Sequence, residues 1–193
     1  MEYSAAKDQV SAGLITNPTS GDMVGAGGVY TVTCVGADGV EKWSDTFHNL
    51  VMNGGLANMN STYFGAGAQS TTWYLGLVTG PGSTTTYSAT DTLASHGATG
   101  SGGWTENTDY SGNRKSVTFG SATTANPSVI TNSAAPSSFL MTGTATIAGA
   151  FLCNVATGTS GVLFSAGDFT AGDKSVAAGD TLNVTYTFSL TAT

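Results

Sequence analysis

The side chains able to carry chemistry in this chain are few: His48 and His96, Cys34 and Cys153, three glutamates and nine aspartates. Nucleophilic catalysis needs a nucleophile, a base and an orienting group within reach of one another. The sequence holds no GxSxG nucleophile elbow, and neither imidazole has a nucleophile pattern beside it. His48 directly follows an expected strand and His96 lies in a Gly-rich connection, so both read as surface or rim residues. Glu106 and Asp109 flank Trp104 and Tyr110. Such a grouping suits a shallow sugar-stacking site, or more plainly a polar loop closed by two core aromatics. No paired carboxylates for glycoside hydrolysis are flagged. The cysteines and histidines lack zinc spacing. Three Gly-Asp pairs, at 167–168, 172–173 and 179–180, match no calcium loop and read as turns. Gly25 to Gly28 precede a strand rather than a helix, the wrong order for a phosphate-cradling loop. Arg114-Lys115 is the only adjacent basic pair, a candidate anchor for an acidic neighbour. No catalytic, cofactor-binding or metal-ligating residue is expected, and the role is expected to be non-enzymatic.

The elements that would position these residues are mostly strands. Residues 181–190, TLNVTYTFSL, alternate strictly: Leu182, Val184, Tyr186, Phe188 and Leu190 on one face, Thr, Asn and Ser on the other. This period of two marks a strand with one wall against an apolar core, and it is expected to lie centrally in its sheet. A hairpin is expected from residues 29–35 and 40–47 around Gly36-Ala37-Asp38-Gly39. Leu50, Leu56, Met59 and Tyr63 recur at helical spacing, so a short helix is expected over 49–62 despite Gly54-Gly55. Residues 71–78, TTWYLGLV, read as a strand apolar on both faces. A helical turn capped by Ser88 or Thr90 is expected within 88–96. Further strands are expected at 115–119, 127–132, 137–142, 144–153 and 162–164. Cys34 and Cys153 fall inside strands and read as buried free thiols, with a cross-strand disulfide as the alternative. The whole predicts an all-β protein, a single β-sandwich or jelly-roll-like domain over residues 28–193 with one or two short helices. Residues 1–27 read as an extended N-terminal arm or flexible leader.

Composition narrows the partners. Of the 193 residues only 9% are charged while 40% are hydrophobic, so Thr, Ser, Asn and Gly supply the polar surface. A soluble domain ordinarily carries roughly a quarter charged residues, and a charge-poor surface suits a protein covered by neighbours. The net charge of −7 opposes direct nucleic-acid binding. No apolar run reaches the roughly 20 residues of a membrane span. The first twenty residues show neither a basic nor an apolar signal region, so folding in a cytoplasm is expected.

The ordered set KWSDTFHNLVMNGGLANM, TTWYLGLV, WTENTDYSGNRKSVTFG, TATIAGAFLCN and GDTLNVTYTFSL resembles a family of small virion proteins of tailed bacteriophages. The resemblance covers about residues 29–193 and contains no catalytic motif. It implies a β-rich structural protein attached to the head or tail of a particle.

The head is the favoured location on physical grounds. A decoration (cement) protein clamps neighbouring capsomers, which needs a compact domain and a patch or arm that spans subunits. The expected partners are the major capsid protein and neighbouring copies of this chain, a homotrimer being one such arrangement. The expected location is the virion surface, after assembly in the host cytoplasm. Leu14 and Ile15 in the arm, with Trp104, Tyr110, Arg114 and Lys115, are the candidate partner contacts. The alternative is a tail- or head-fibre component binding a host surface glycan through Trp104 and Tyr110.

Overall fold

Alternating β-branched and aromatic residues build two antiparallel sheets that pack face to face. The computed structural model describes residues 24–80, 87–96 and 104–192. Leu14 and Ile15, and most of the expected arm, lie outside the described residues.

The first sheet runs in the order β2 (Glu41–His48), β1 (Val24–Val35), β12 (Thr181–Ala192), β7 (Ser128–Thr131), with β8 (Ser137–Leu140) also on β12. Thus β12 is central, as expected: β1 pairs along one edge, β7 and β8 share the other. The β1–β2 hairpin forms around the expected turn, where Gly39 takes φ 79° and Val40 N–H donates to Asp38 Oδ1 at 3.0 Å. β1 starts at Val24 rather than Val29, so residues 24–27 of the expected arm are strand paired with Ser189–Ala192. Gly28 permits this: the Tyr186 ring lies over it, and a Cβ there would meet Tyr186 Oη at 2.4 Å.

The second sheet runs β3 (Leu50–Val51), β10 (Leu163–Asp168), β9 (Ala145–Cys153), β4 (Trp73–Thr79), β5 (Glu106–Asn107), with β11 (Lys174–Val176) on β9 and β6 (Lys115–Val117) on β4. β10 is twice as long as expected, and β11 carries no pattern long enough to predict it. Helix α1 (Asn53–Phe64) starts four residues later than expected. It rests on β10 at Gly55, where a Cβ would lie 2.7 Å from the Phe164 carbonyl oxygen. The glycine pair that weakens the helical pattern is what lets the helix approach the sheet. The second helix, α2 (Leu93–His96), is a single turn whose Ser95 N–H donates to Thr92 Oγ1 at 3.2 Å. Thr92 therefore caps it, in place of the expected Ser88 or Thr90.

Between the sheets lies the main core, with Tyr30, Val32, Phe47, Leu75, Leu152 and Val184 at its centre. A polar bolt crosses it: Tyr30 Oη and Ser165 Oγ are 2.7 Å apart, and Ser165 Oγ donates to Tyr186 Oη at 3.3 Å. Asn49 Nδ2 donates to the same Tyr186 oxygen at 3.0 Å. A second apolar cluster covers the far face of the second sheet, with Met52, Val78, Leu93, Trp104, Phe151 and Cys153. Both faces of that sheet are therefore buried, which accounts for the doubly apolar 71–78 run. Cys34 and Cys153 are buried free thiols in different sheets.

Candidate functional site

Trp104 and Tyr110 are not surface rings. They are 3% and 5% exposed, so neither presents a face to a sugar or a partner. The reason is packing. Trp104 caps the second apolar cluster against Phe151 and Tyr87, and Tyr110 meets Phe139 edge to face at 4.8 Å. The plainer reading of residues 104–110, a polar loop closed by core aromatics, is the one the packing favours.

His96 is likewise no rim residue. Its ring stacks on Trp104 at 4.8 Å and 13°, buried at 3% exposure. Its Nε2 lies 3.0 Å from Asp91 Oδ1, and its Nδ1 lies 3.3 Å from the Trp104 carbonyl oxygen. Asp91 also accepts from the Trp104 indole N–H at 3.2 Å and from Ser88 N–H at 2.9 Å. Both imidazole nitrogens thus lie against acceptor oxygens in the interior. The Asp-His pair closes the 87–96 segment on itself, and both residues fasten it to Trp104. His48 is exposed at the end of β2.

Arg114 and Lys115 also separate from their expected role. Arg114 is 6% exposed. It donates to both carboxylate oxygens of Glu106, at 2.8 and 2.6 Å, and to the Val155 carbonyl at 3.1 Å. Its guanidinium also lies over the Phe151 ring. Lys115 is half-buried, donating to the Ser111 carbonyl with its ammonium over the Tyr110 ring. Neither cation stands free to anchor an acidic neighbour.

Near the end of β10, burial and the charge of Asp173 raise the Asp168 carboxyl to about 6. Tyr87, whose hydroxyl donates to the Gly167 carbonyl at 3.2 Å, is pushed well above its ordinary value by burial and then by Asp168. Among the described residues, no group of three or more His, Cys, Asp or Glu side chains is arranged to hold a metal ion. No helix there is long and apolar enough to cross a membrane.

Two surfaces remain that single-residue chemistry does not flag. The first is the outward face of the five-stranded sheet. Register places His48, Val29, Thr187 and Thr131 in one row, Thr46, Thr31 and Thr185 in the next, and Ser44, Thr33, Asn183 and Ser138 in a third. Hydroxyls hold one another across the strands: Thr31 to Thr46 at 3.0 Å, Thr33 to Ser44 at 3.2 Å, Thr187 to Thr131 at 2.9 Å. Ser138 donates to Asn183 in the same array. These three rows contain no Asp, Glu, Lys or Arg. The polar half of the β12 alternation is the part of this surface that sequence exposes; its neighbours follow only from register.

The second surface is an open groove of about 480 Å³ between the end of α1 and the rim of the sandwich. Val24, Met59, Tyr63, Phe64, Trp73 and Leu190 supply its apolar lining. Tyr63 and Phe64 are each 84% exposed, the most exposed large apolar side chains among the described residues.

The fold is an antiparallel β-sandwich of two packed sheets. No known protein family, curated protein or solved structure matches the chain.

Proposed function

We propose that the chain is a structural subunit of a tailed-bacteriophage particle, a decoration (cement) protein that binds the outer shell and holds neighbouring capsomers together. The observation that carries this reading is the run of three Thr-, Ser- and Asn-rich rows, free of Asp, Glu, Lys and Arg, on the outer face of the five-stranded sheet. A face of short hydroxyls costs little side-chain entropy to order, and it buries no charge when covered. Side-chain hydroxyl and amide hydrogen bonds then carry the contact, so attachment does not depend on ion pairing. The acidic net charge keeps the free subunit soluble before it meets the shell. Many weak contacts repeated over a particle add through effective concentration. A fibre component that binds a glycan through Trp104 and Tyr110 is disfavoured, since both rings are buried.

The test is rebinding of the full chain to purified phage heads that lack it. Thr31→Lys and Thr185→Lys each place a cation within the face and are expected to lower occupancy. Raising salt should change the affinity of the unaltered chain little. Unaltered binding by both variants, or only a few copies per particle, would overturn the reading.

A further inference from the structure

The groove beside α1 has a shape and composition that call for an occupant. Tyr63 and Phe64 stand almost wholly in water at its rim, with their rings in edge contact at 5.3 Å. Its polar lining among the described residues consists of Asn58, Asn60, Thr62, Gln69 and Ser70, none of them charged. Isolated exposed apolar side chains are ordinary, but two adjacent aromatics over a concave apolar floor mark a binding surface.

Where the chain enters the described fold indicates which segment fills it. Val24, the first residue of β1, is itself part of the groove wall, next to Leu190 of β12. The segment before it is therefore tethered to the groove wall itself. Between Asp8 and Asp22 the sequence QVSAGLITNPTSG carries no charge, and it contains one apolar group, Val10, Leu14 and Ile15. Eight residues lie between Ile15 and Val24, a tether able to reach roughly 30 Å. A covalent tether of that length gives an effective concentration in the millimolar range, which favours the chain's own segment over one from solution.

We infer that the groove is the docking site of residues 10–15 of the same chain, with Leu14 and Ile15 against Tyr63, Phe64 and Trp73. Those two residues then serve first to cover the chain's own apolar surface, whatever larger assembly the protein joins. This inference does not rest on the proposed particle role and stands or falls separately.

Disulfide trapping in the full chain tests it. Val10→Cys, Leu14→Cys and Ile15→Cys are each paired with Phe64→Cys, with Ser4→Cys plus Phe64→Cys as the reference. Loop closure alone makes the Leu14 pair only about 1.3-fold faster than the reference. Docking predicts that at least one pair closes within a single chain on the order of tenfold faster. Equal rates would overturn the inference, and a disulfide formed between two chains would assign the groove to a second copy. As a second measurement, Leu14→Asp combined with Ile15→Asp should speed hydrogen exchange across residues 58–64 by roughly tenfold while β4 amides stay unchanged. Unchanged exchange at 58–64 would likewise overturn it.

Discussion

Arg114 and Glu106 meet as a two-pronged ion pair with side chains only 3% and 6% exposed. The pair joins β5 to the segment entering β6, so it fastens two short strands along one edge of β4. Its geometry is that of an interior fastening. A charge offered to a partner would keep more of its surface in water.

Removing one member leaves the other charged, buried and unpaired. Glu106→Gln is expected to lower the unfolding free energy by about 3–5 kcal/mol, measured by urea denaturation. Replacing both, as Glu106→Leu with Arg114→Met, should return most of that loss. A single-variant loss below about 1 kcal/mol would mean the pair behaves as a solvated surface bridge.

The polar bolt between the sheets gives a second expectation. Ser165→Ala removes the partner held by Tyr30 and shared with Tyr186. The expected cost is about 1–3 kcal/mol, because buried hydroxyls lose a partner that water cannot replace. The Tyr30 hydroxyl then keeps only its longer bond to the Ser165 carbonyl, at 3.3 Å, so adding Tyr30→Phe should make the double variant less destabilised than the two single losses added together. Strict additivity in that cycle would show that the two groups are not coupled.

Neighbouring glycines at the start of α1 should respond in opposite directions. At Gly54 the nearest atom to an added Cβ is the Leu163 carbonyl oxygen, at an ordinary 3.7 Å. Gly54→Ala is therefore expected to stabilise by about 0.5 kcal/mol through helix propensity and a stiffer unfolded chain. At Gly55 the Phe164 carbonyl stands 2.7 Å away, so the helix must lift from β10. Gly55→Ala should destabilise by about 1–3 kcal/mol as overpacking. Thermal melts of the two variants decide the matter, and the same sign for both would refute this packing account.

Asp168 makes stability depend on pH. Its folded value of about 6 lies above the ordinary 3.8, raised first by burial and then by Asp173. The native state therefore favours the protonated form. That contribution is complete below about pH 4 and is lost as pH rises through about 6. Asp180 acts in the opposite sense: the Lys42 ammonium and the Ala177 N–H hold it low, so its contribution fades as pH falls. Asp168→Asn should flatten the decline between pH 4 and 6 in calorimetric melting temperatures. An undiminished decline would assign it to other groups.

What sequence makes legible here is periodicity, and what it hides is proximity. The alternation of residues 181–190 identifies β12 because one wall faces the core and the other does not. The start of β1 is hidden because Gly25 to Gly28 look like a break, while the ring that covers Gly28 comes from Tyr186, far along the chain. Trp104 and Tyr110 are the types that serve either a core or a binding face, and only the packing of Phe151 and Phe139 decides between them. His96 is similar: its neighbours in sequence are Gly and Ser, yet its environment is set by Asp91 and Trp104. The groove escapes notice because Val24, Tyr63 and Leu190 belong to three separate elements that share no pattern.

The central place of β12 also bears on how the molecule is made. Val24 pairs with Ala192, and β1 has β12 as its neighbour along its whole length. During synthesis the β1–β2 hairpin emerges early, but the strand that completes its sheet leaves the ribosome only after the second sheet has been translated. Until then β1 has one unpaired edge, and such an edge recruits other chains. Pairing across so long a loop is slow. Late closure of that edge leaves the partly made chain open to misassembly with other chains.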